Sequence, residues 1–495
     1  MDNTPTILLS LVFVIWICIH FLRSTRKLPP GPYPYPIIGN ILQLSGIFHE
    51  SLAKFSEIYG PLMTIKLGSK TTIVVSSREM AKEILQKHEN ALTRRLVTDA
   101  ASALDHHKHS VLWLPTLSQW RNFRKLCKEQ IFSWERLNAS QGIRQEKVQQ
   151  LCSYLHECCI IGKAVNISDA AFTTSLNLIS KTLFSIDFAG YDSNSSVEIK
   201  EIVSGLMKAF GAPNVVDSLP ILRVMDPQGI RRQAKFYLEK LLEVLDGIIN
   251  QRLQERRSSL TYSRRNDFLE TLLDLNEQNG ENWSYKDIKH LLLDLFSAGT
   301  ETTSATVEWV MTELLRNPGK REKAKAEIQE VIGQSKDVQE SDISKLPYLQ
   351  ALVKETFRLH PVATLLARQP EDDIEINKYT VPKNSQILVN IWAICRDPGF
   401  WLEPESFIPE RFLDTEIDVK GQHFELLTFG TGRRICLGMS LAHRMLHLII
   451  ASLLHHFDWK LEDGIKPEDI DMSEKFGATV KKAVPLKAIP VLINT

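Results

Sequence analysis

The segment that most restricts the fold of this 495-residue chain is a helical pattern that runs unbroken over residues 284–317. Ser284 stands where a hydroxyl caps the first turn, Asp287 follows at the third position as its reciprocal partner, and Pro318 ends the run. At about 1.5 Å per residue such a helix is roughly 50 Å long. Its middle, Ala298-Gly299-Thr300-Glu301-Thr302-Thr303-Ser304, is a poor helix former. Glycine costs about 1 kcal/mol there, and threonine and serine hydroxyls compete for backbone partners. A local rule broken inside a long apolar helix points to a functional site.

Helical periodicity also covers residues 79–88, 120–132, 145–156 and 231–256. Residues 61–76 read as a β-hairpin around Gly68-Ser69-Lys70, and a second strand pair is expected between Tyr379 and Ile394. The class is therefore mainly α with a small β region. From residue 37 onward no linker interrupts the pattern, so residues 37–495 read as a single large domain. Before it, residues 28–36 form a proline block whose fixed dihedrals favour a stiff extended hinge. Residues 1–27 hold an apolar run, 6–22, followed by Arg23, Arg26 and Lys27. That pattern predicts an N-terminal transmembrane anchor and basic stop, single-pass, with the rest of the chain on the cytosolic side.

Lysine plus arginine equals aspartate plus glutamate, 59 each, which gives no footprint for nucleic acid. Seven cysteines without paired spacing suit neither a disulfide framework nor a structural zinc, and fit a reducing compartment. Asp105-His106-His107-Lys108-His109 is read as a polar loop, because consecutive histidines do not preorganise a tetrahedral metal site.

One cysteine has a distinctive setting. Residues 429–438, Phe-Gly-Thr-Gly-Arg-Arg-Ile-Cys-Leu-Gly, place Cys436 in a glycine-rich loop followed by an expected helix over 439–455. Glycines let backbone N–H groups approach the sulfur and the helix adds its positive end, so a thiolate is favoured there. An isolated buried cysteine is more often a small core hydrophobe. A phosphate-cradling loop would need a lysine after the glycines, and none is present.

The same ten residues resemble the cytochrome P450 haem-binding signature F-x-x-G-x-R-x-C-x-G at every fixed position. Three further motifs stand in the family's order: Trp120-Arg121-Asn122-Phe123-Arg124, Glu355-Thr356-Phe357-Arg358 and Pro409-Glu410-Arg411-Phe412. The resemblance implies a cytochrome P450 fold, haem b held by Cys436, and Trp120, Arg124, Arg368 and Arg434 as partners of the haem carboxylates. Residues 298–302 resemble A-G-x-[DE]-T, which implies that Gly299 allows close approach of oxygen and substrate. Thr302, with Glu301, would organise proton delivery to dioxygen. The implied activity is monooxygenation of a lipophilic small molecule, as in plant microsomal terpenoid hydroxylases of the endoplasmic reticulum membrane, with electrons from an NADPH-dependent flavoprotein reductase.

Two alternatives remain at this point. A haem-thiolate isomerase or dehydratase would need no dioxygen, and a haem carrier or sensor would show no turnover. From the residues themselves, Val111, Trp113, Leu295, Ala298, Val362, Leu365, Phe476 and Val480 are the pocket candidates. After Pro361, residues 362–368 lack the further prolines common among relatives, which leaves the pocket's shape open.

Overall fold

The computed structural model describes residues 10–15, 27–258, 263–278, 283–333, 336–462 and 464–493. At its centre runs the helix Tyr285–Arg316, with the Ser284 hydroxyl accepting from the Asp287 N–H and the Asp287 side chain accepting from the Ser284 N–H. Nearly every residue of this helix beyond its first turn is buried, so it forms the axis around which the other helices pack. Its most extensive neighbour is Ile167–Phe184, and Met439–His456, Ile230–Ser258 and Pro347–Leu359 cover other sides. The weak middle does not kink it. Thr300, Thr302, Thr303 and Thr306 each return their hydroxyl to a carbonyl one turn back, which satisfies the polar groups without breaking the backbone ladder.

The hairpin forms as its sequence predicts, with Leu62–Leu67 antiparallel to Lys70–Val75. The second strand pair does not. Ile374–Ile376 pairs with Tyr379–Val381, while Gln386–Asn390 leaves for the larger sheet, parallel to Lys70–Val75 and antiparallel to Leu365–Arg368. Period-two patterning names a strand but not its partner when the partner is distant in sequence. The sheet order is therefore Leu62–Leu67, Lys70–Val75, Gln386–Asn390, Leu365–Arg368. The proline-poor segment before Arg368 is its edge strand, and every residue from 362 to 368 lines the internal cavity.

At the N-terminus the structure corrects the sequence-based expectation. Most of the predicted anchor lies outside the described residues, and among those described no helix is long and apolar enough to cross a membrane. The described helical stretch there covers residues 10–15. The single-pass anchor, and the endoplasmic reticulum membrane placement built on it, are not supported. Residues 28–34 carry no regular secondary structure and the chain turns at 36, while the Pro30 carbonyl accepts from the Thr64 N–H of the hairpin at 2.7 Å.

A second difference concerns residues 105–109. His106 is fully buried, and its ring makes contacts with the central helix. The His106 ring alone is turned inward, where carboxylate and imidazole groups of the central helix lie, while Asp105 and Lys108 stay exposed.

Candidate functional site

A cavity of about 870 Å³ lies between the central helix and the loop that carries Cys436. The loop is closed on itself by the Cys436 N–H donating to the Phe429 carbonyl at 2.9 Å and the Gly430 N–H to Leu427 at 2.8 Å. Gly430 and Gly432 sit at φ 72° and 65°, left-handed conformations that favour glycine. The sulfur is enclosed by the protein yet opens onto the cavity. Burial raises the thiol's pKa, while the Gly438 N–H, Arg124, Arg95 and the Met439 N–H pull it back. These are the groups expected around an anionic sulfur, at the start of Met439–His456.

Four arginines face the same cavity: Arg95, Arg124, Arg368 and Arg434. Arg124 donates to the Ile435 carbonyl at 2.7 Å; Arg434 donates to Thr93 and, at 2.5 Å, to Leu114. Arg368 donates to the carbonyl of its neighbour Ala367 at 2.9 Å. None of the four forms an ion pair with a carboxylate among the described residues, although other buried arginines do. Burial depresses the pKa of all four, Arg434 to about 9, and mutual repulsion adds to it: Arg95 and Arg434 act on Arg368, and Arg95 and Arg124 on Arg434. Such a cluster is stable only with an anionic guest, because buried charge without a counter-ion is costly. An iron porphyrin with two carboxylates, ligated by sulfur, fits this donor set. Arg95 escaped the sequence reading, since it belongs to no spaced motif.

Trp120 stands behind the arginines and does not line the cavity. Its indole N–H is committed to the Val111 carbonyl at 3.1 Å, while Arg124 and Arg434 lie over its ring at 5.1 and 4.9 Å. The indole therefore orients guanidinium groups through its face.

On the opposite wall, Thr302 lines the cavity with its hydroxyl 2.7 Å from the Ala298 carbonyl. Glu301 points elsewhere: it is buried, one oxygen accepts from Lys481 Nζ at 2.5 Å, and the other has no partner. Gly299 lines the cavity too, but a Cβ there would approach Ile179 Cδ1 at 2.8 Å. Close packing against Ile167–Phe184 thus gives a structural reason for this glycine. Of the pocket candidates, Val111, Trp113, Leu295, Ala298, Val362, Leu365 and Phe476 line the cavity. Val480 sits behind them, its N–H on the Val362 carbonyl at 2.8 Å.

Away from the cavity, Glu355 and Arg358 share one face of Pro347–Leu359, both fully buried, and pair at 2.7 and 2.8 Å. Arg411 joins Glu355 at 3.3 Å, and Arg358 also donates to the carbonyls of Cys395, Pro404 and Ser406.

Comparison with known proteins agrees with this arrangement. A profile of the family described as Cytochrome P450 matches residues 29–487. The chain is 55% identical over 494 residues to Cytochrome P450 76T24 of Catharanthus roseus, covering 98% of this chain and 99% of that protein. It is 50% identical over 490 residues to the ferruginol synthase of Isodon rubescens, covering 99% of each chain. It is also 50% identical over 491 residues to Cytochrome P450 76AD1 of Beta vulgaris, covering 98% of each. With the cysteine loop, the arginine cluster and the buried Glu355–Arg358 pair in place, the chain belongs to the cytochrome P450 family and is a haem-thiolate monooxygenase.

Proposed function

We propose that the protein hydroxylates a lipophilic plant metabolite of the terpenoid class, using dioxygen and electrons from an NADPH-dependent flavoprotein reductase. The observation that carries the reading is the meeting, in one mostly apolar cavity, of the Cys436 sulfur, Thr302 and four arginines that have no ion-pair partner among the described residues. The substrate class rests on the likeness to ferruginol synthase together with apolar walls such as Val111, Leu295, Val362, Leu365 and Phe476. A screen of the enzyme with reductase against mono-, sesqui- and diterpenoids tests it. NADPH-dependent hydroxylated product from one of these classes is expected. Turnover confined to polar or phenolic amines would overturn the class, and product without NADPH would favour an isomerase.

In this reading Cys436 would hold the haem iron through Sγ, and bound haem b would supply the redox chemistry of monooxygenation. Arg95, Arg124, Arg368 and Arg434 hold the carboxylates, since guanidinium offers planar donors and keeps its charge. Trp120 orients two of them. The apolar walls exclude water and hold the substrate's target carbon on the side of Thr302, away from the sulfur. Thr302 holds a proton at Oγ1 on that side, and Glu301, once released from Lys481 and protonated from solvent, replaces it.

Thr302→Val keeps the side chain's shape and removes only the hydroxyl. Haem content and substrate affinity should stay within about twofold, while product per NADPH consumed falls by about tenfold or more and peroxide appears. Glu301→Gln should act in the same direction, mainly by slowing turnover. Product and peroxide assays against NADPH consumption check both, and unchanged coupling in the pair would remove Thr302 and Glu301 from proton delivery.

A further inference from the structure

The cavity reaches the surface where the tip of the hairpin meets the short helical turn Val215–Ser218. Pro213 and Gln228 line it there and are exposed. The Ser69 N–H and the Ser69 hydroxyl both donate to the Ser218 carbonyl at 3.0 Å. Gly68, at φ 56°, lies so near that a Cβ would meet the Ser218 oxygen at 2.5 Å. This docking brings the next hairpin residue, Lys70, within electrostatic reach of Asp217, and both line the cavity.

Most charges around this mouth already have partners. Asp99, which is buried, takes Arg223 at 2.9 Å and Arg231 at 3.7 Å. Lys66, on the hairpin strand before the turn, donates to the Thr71 hydroxyl at 2.7 Å. The Lys70 ammonium, half-buried, has neither a hydrogen bond nor an ion pair among the described residues. Asp217 is half-buried too; its Oδ1 accepts from the Asp99 N–H at 2.7 Å, and it forms no ion pair among the described residues. Burial lowers the pKa of Lys70 and Asp217 raises it back, while burial raises that of Asp217 and the Asp99 N–H and Lys70 pull it down. The two groups attract each other without closing an ion pair.

A substrate that fills the cavity displaces water from both, and charge that loses water without gaining a partner is costly. A hydrocarbon offers neither group anything. A carboxylate suits Lys70 but meets Asp217, and an amine does the reverse. A hydroxyl suits both at once, because its oxygen accepts from the ammonium while its proton is donated to the carboxylate.

We propose that Lys70 and Asp217 form a hydroxyl-recognition site at the cavity mouth, so that the substrate is a terpenoid that already bears an alcohol. The enzyme then acts after a reaction that leaves an alcohol on the terpenoid skeleton. Lys70 and Asp217 hold the substrate and take no part in its oxidation.

The inference rests on the terpenoid reading, and a binding test separates the two because it needs no turnover. Substrate entering the haem-loaded ferric enzyme shifts the Soret band, which gives Kd without NADPH. The probes are geraniol, farnesol and geranylgeraniol, one alcohol for each size class, each beside the hydrocarbon in which hydrogen replaces the hydroxyl. For the alcohol that binds most tightly, the affinity ratio of alcohol to hydrocarbon should fall about tenfold in Lys70→Met and in Asp217→Asn, the low end for hydrogen bonds to charged groups because both are half-exposed. Hydrocarbon affinity should hold or rise, and Lys70→Arg, which keeps a charged donor, should keep the ratio. An unchanged ratio in both variants, equal weakening of alcohol and hydrocarbon, or no binding of any of the alcohols to the unaltered enzyme overturns the site. Should Asp217→Asn fail to hold haem, the contrast between Lys70→Met and Lys70→Arg decides, since Lys70 sits in an exposed turn. Absence of NADPH-dependent hydroxylation of every terpenoid, with the alcohol preference intact, overturns the functional reading instead and leaves the site standing.

Discussion

Replacing Glu355 with leucine should leave a protein that loses its haem and unfolds under mild denaturant. The Glu355 carboxylate is fully buried and accepts from Arg358 Nε and Nη2, Arg411 Nε and the Ile408 N–H. Leucine removes every acceptor at once and leaves the fully buried Arg358 without its counter-charge. Breaking a buried pair on one side costs roughly 3–5 kcal/mol. Against a net stability of about 5–15 kcal/mol that is a large fraction. The network also ties Pro347–Leu359 to the segment Pro409–Phe412 ahead of the cysteine loop. Haem retained after a fixed urea exposure is the suitable measure, because a chain of this size need not unfold in one step. The loss should exceed that of Glu410→Leu, whose carboxylate pairs with the half-exposed Lys323. Equal haem retention in the two variants would show that the buried network does not hold the fold.

Features written in neighbouring residues were legible in the sequence. The central helix begins and ends where the Ser284 and Asp287 capping pair and Pro318 place it, because capping is a local interaction. The same holds for the hairpin, and for Glu355 and Arg358, which are three residues apart and so share a helix face. Features whose partners lie far along the chain were hidden. Gln386–Asn390 reads as a strand, yet its parallel partner Lys70–Val75 stands some three hundred residues earlier. His106 reads as polar surface because His290, its partner, is 184 residues away.

The site divides in the same manner. Cys436, Arg124, Arg368, Arg434 and Thr302, named from motifs, all line one cavity. Arg95 converges with them from a stretch that carries no signature, and its role follows only from the uncompensated charge around it. Glu301 shows the limit of a motif. The sequence sets it beside Thr302, but adjacent residues on a helix point about 100° apart, and this carboxylate turns to Lys481 on a separate strand. Gly299 is likewise ambiguous in sequence, where a glycine beside a threonine suggests room for a ligand. The structure adds Ile179 as a neighbour that needs the same space.

We infer that Cys436 gives its sulfur to the haem iron. Among the described residues Cys436 is the cysteine that lines the cavity, whereas burial holds the thiols of Cys127, Cys152 and Cys395 up at about 12, so they remain protonated. In the reduced protein with carbon monoxide, thiolate ligation gives a strongly red-shifted Soret band. The unaltered protein should show that band, and Cys436→His should abolish it, with monooxygenase activity lost alongside. Persistence of the red-shifted band in Cys436→His would mean that another sulfur holds the iron and would contradict the assignment.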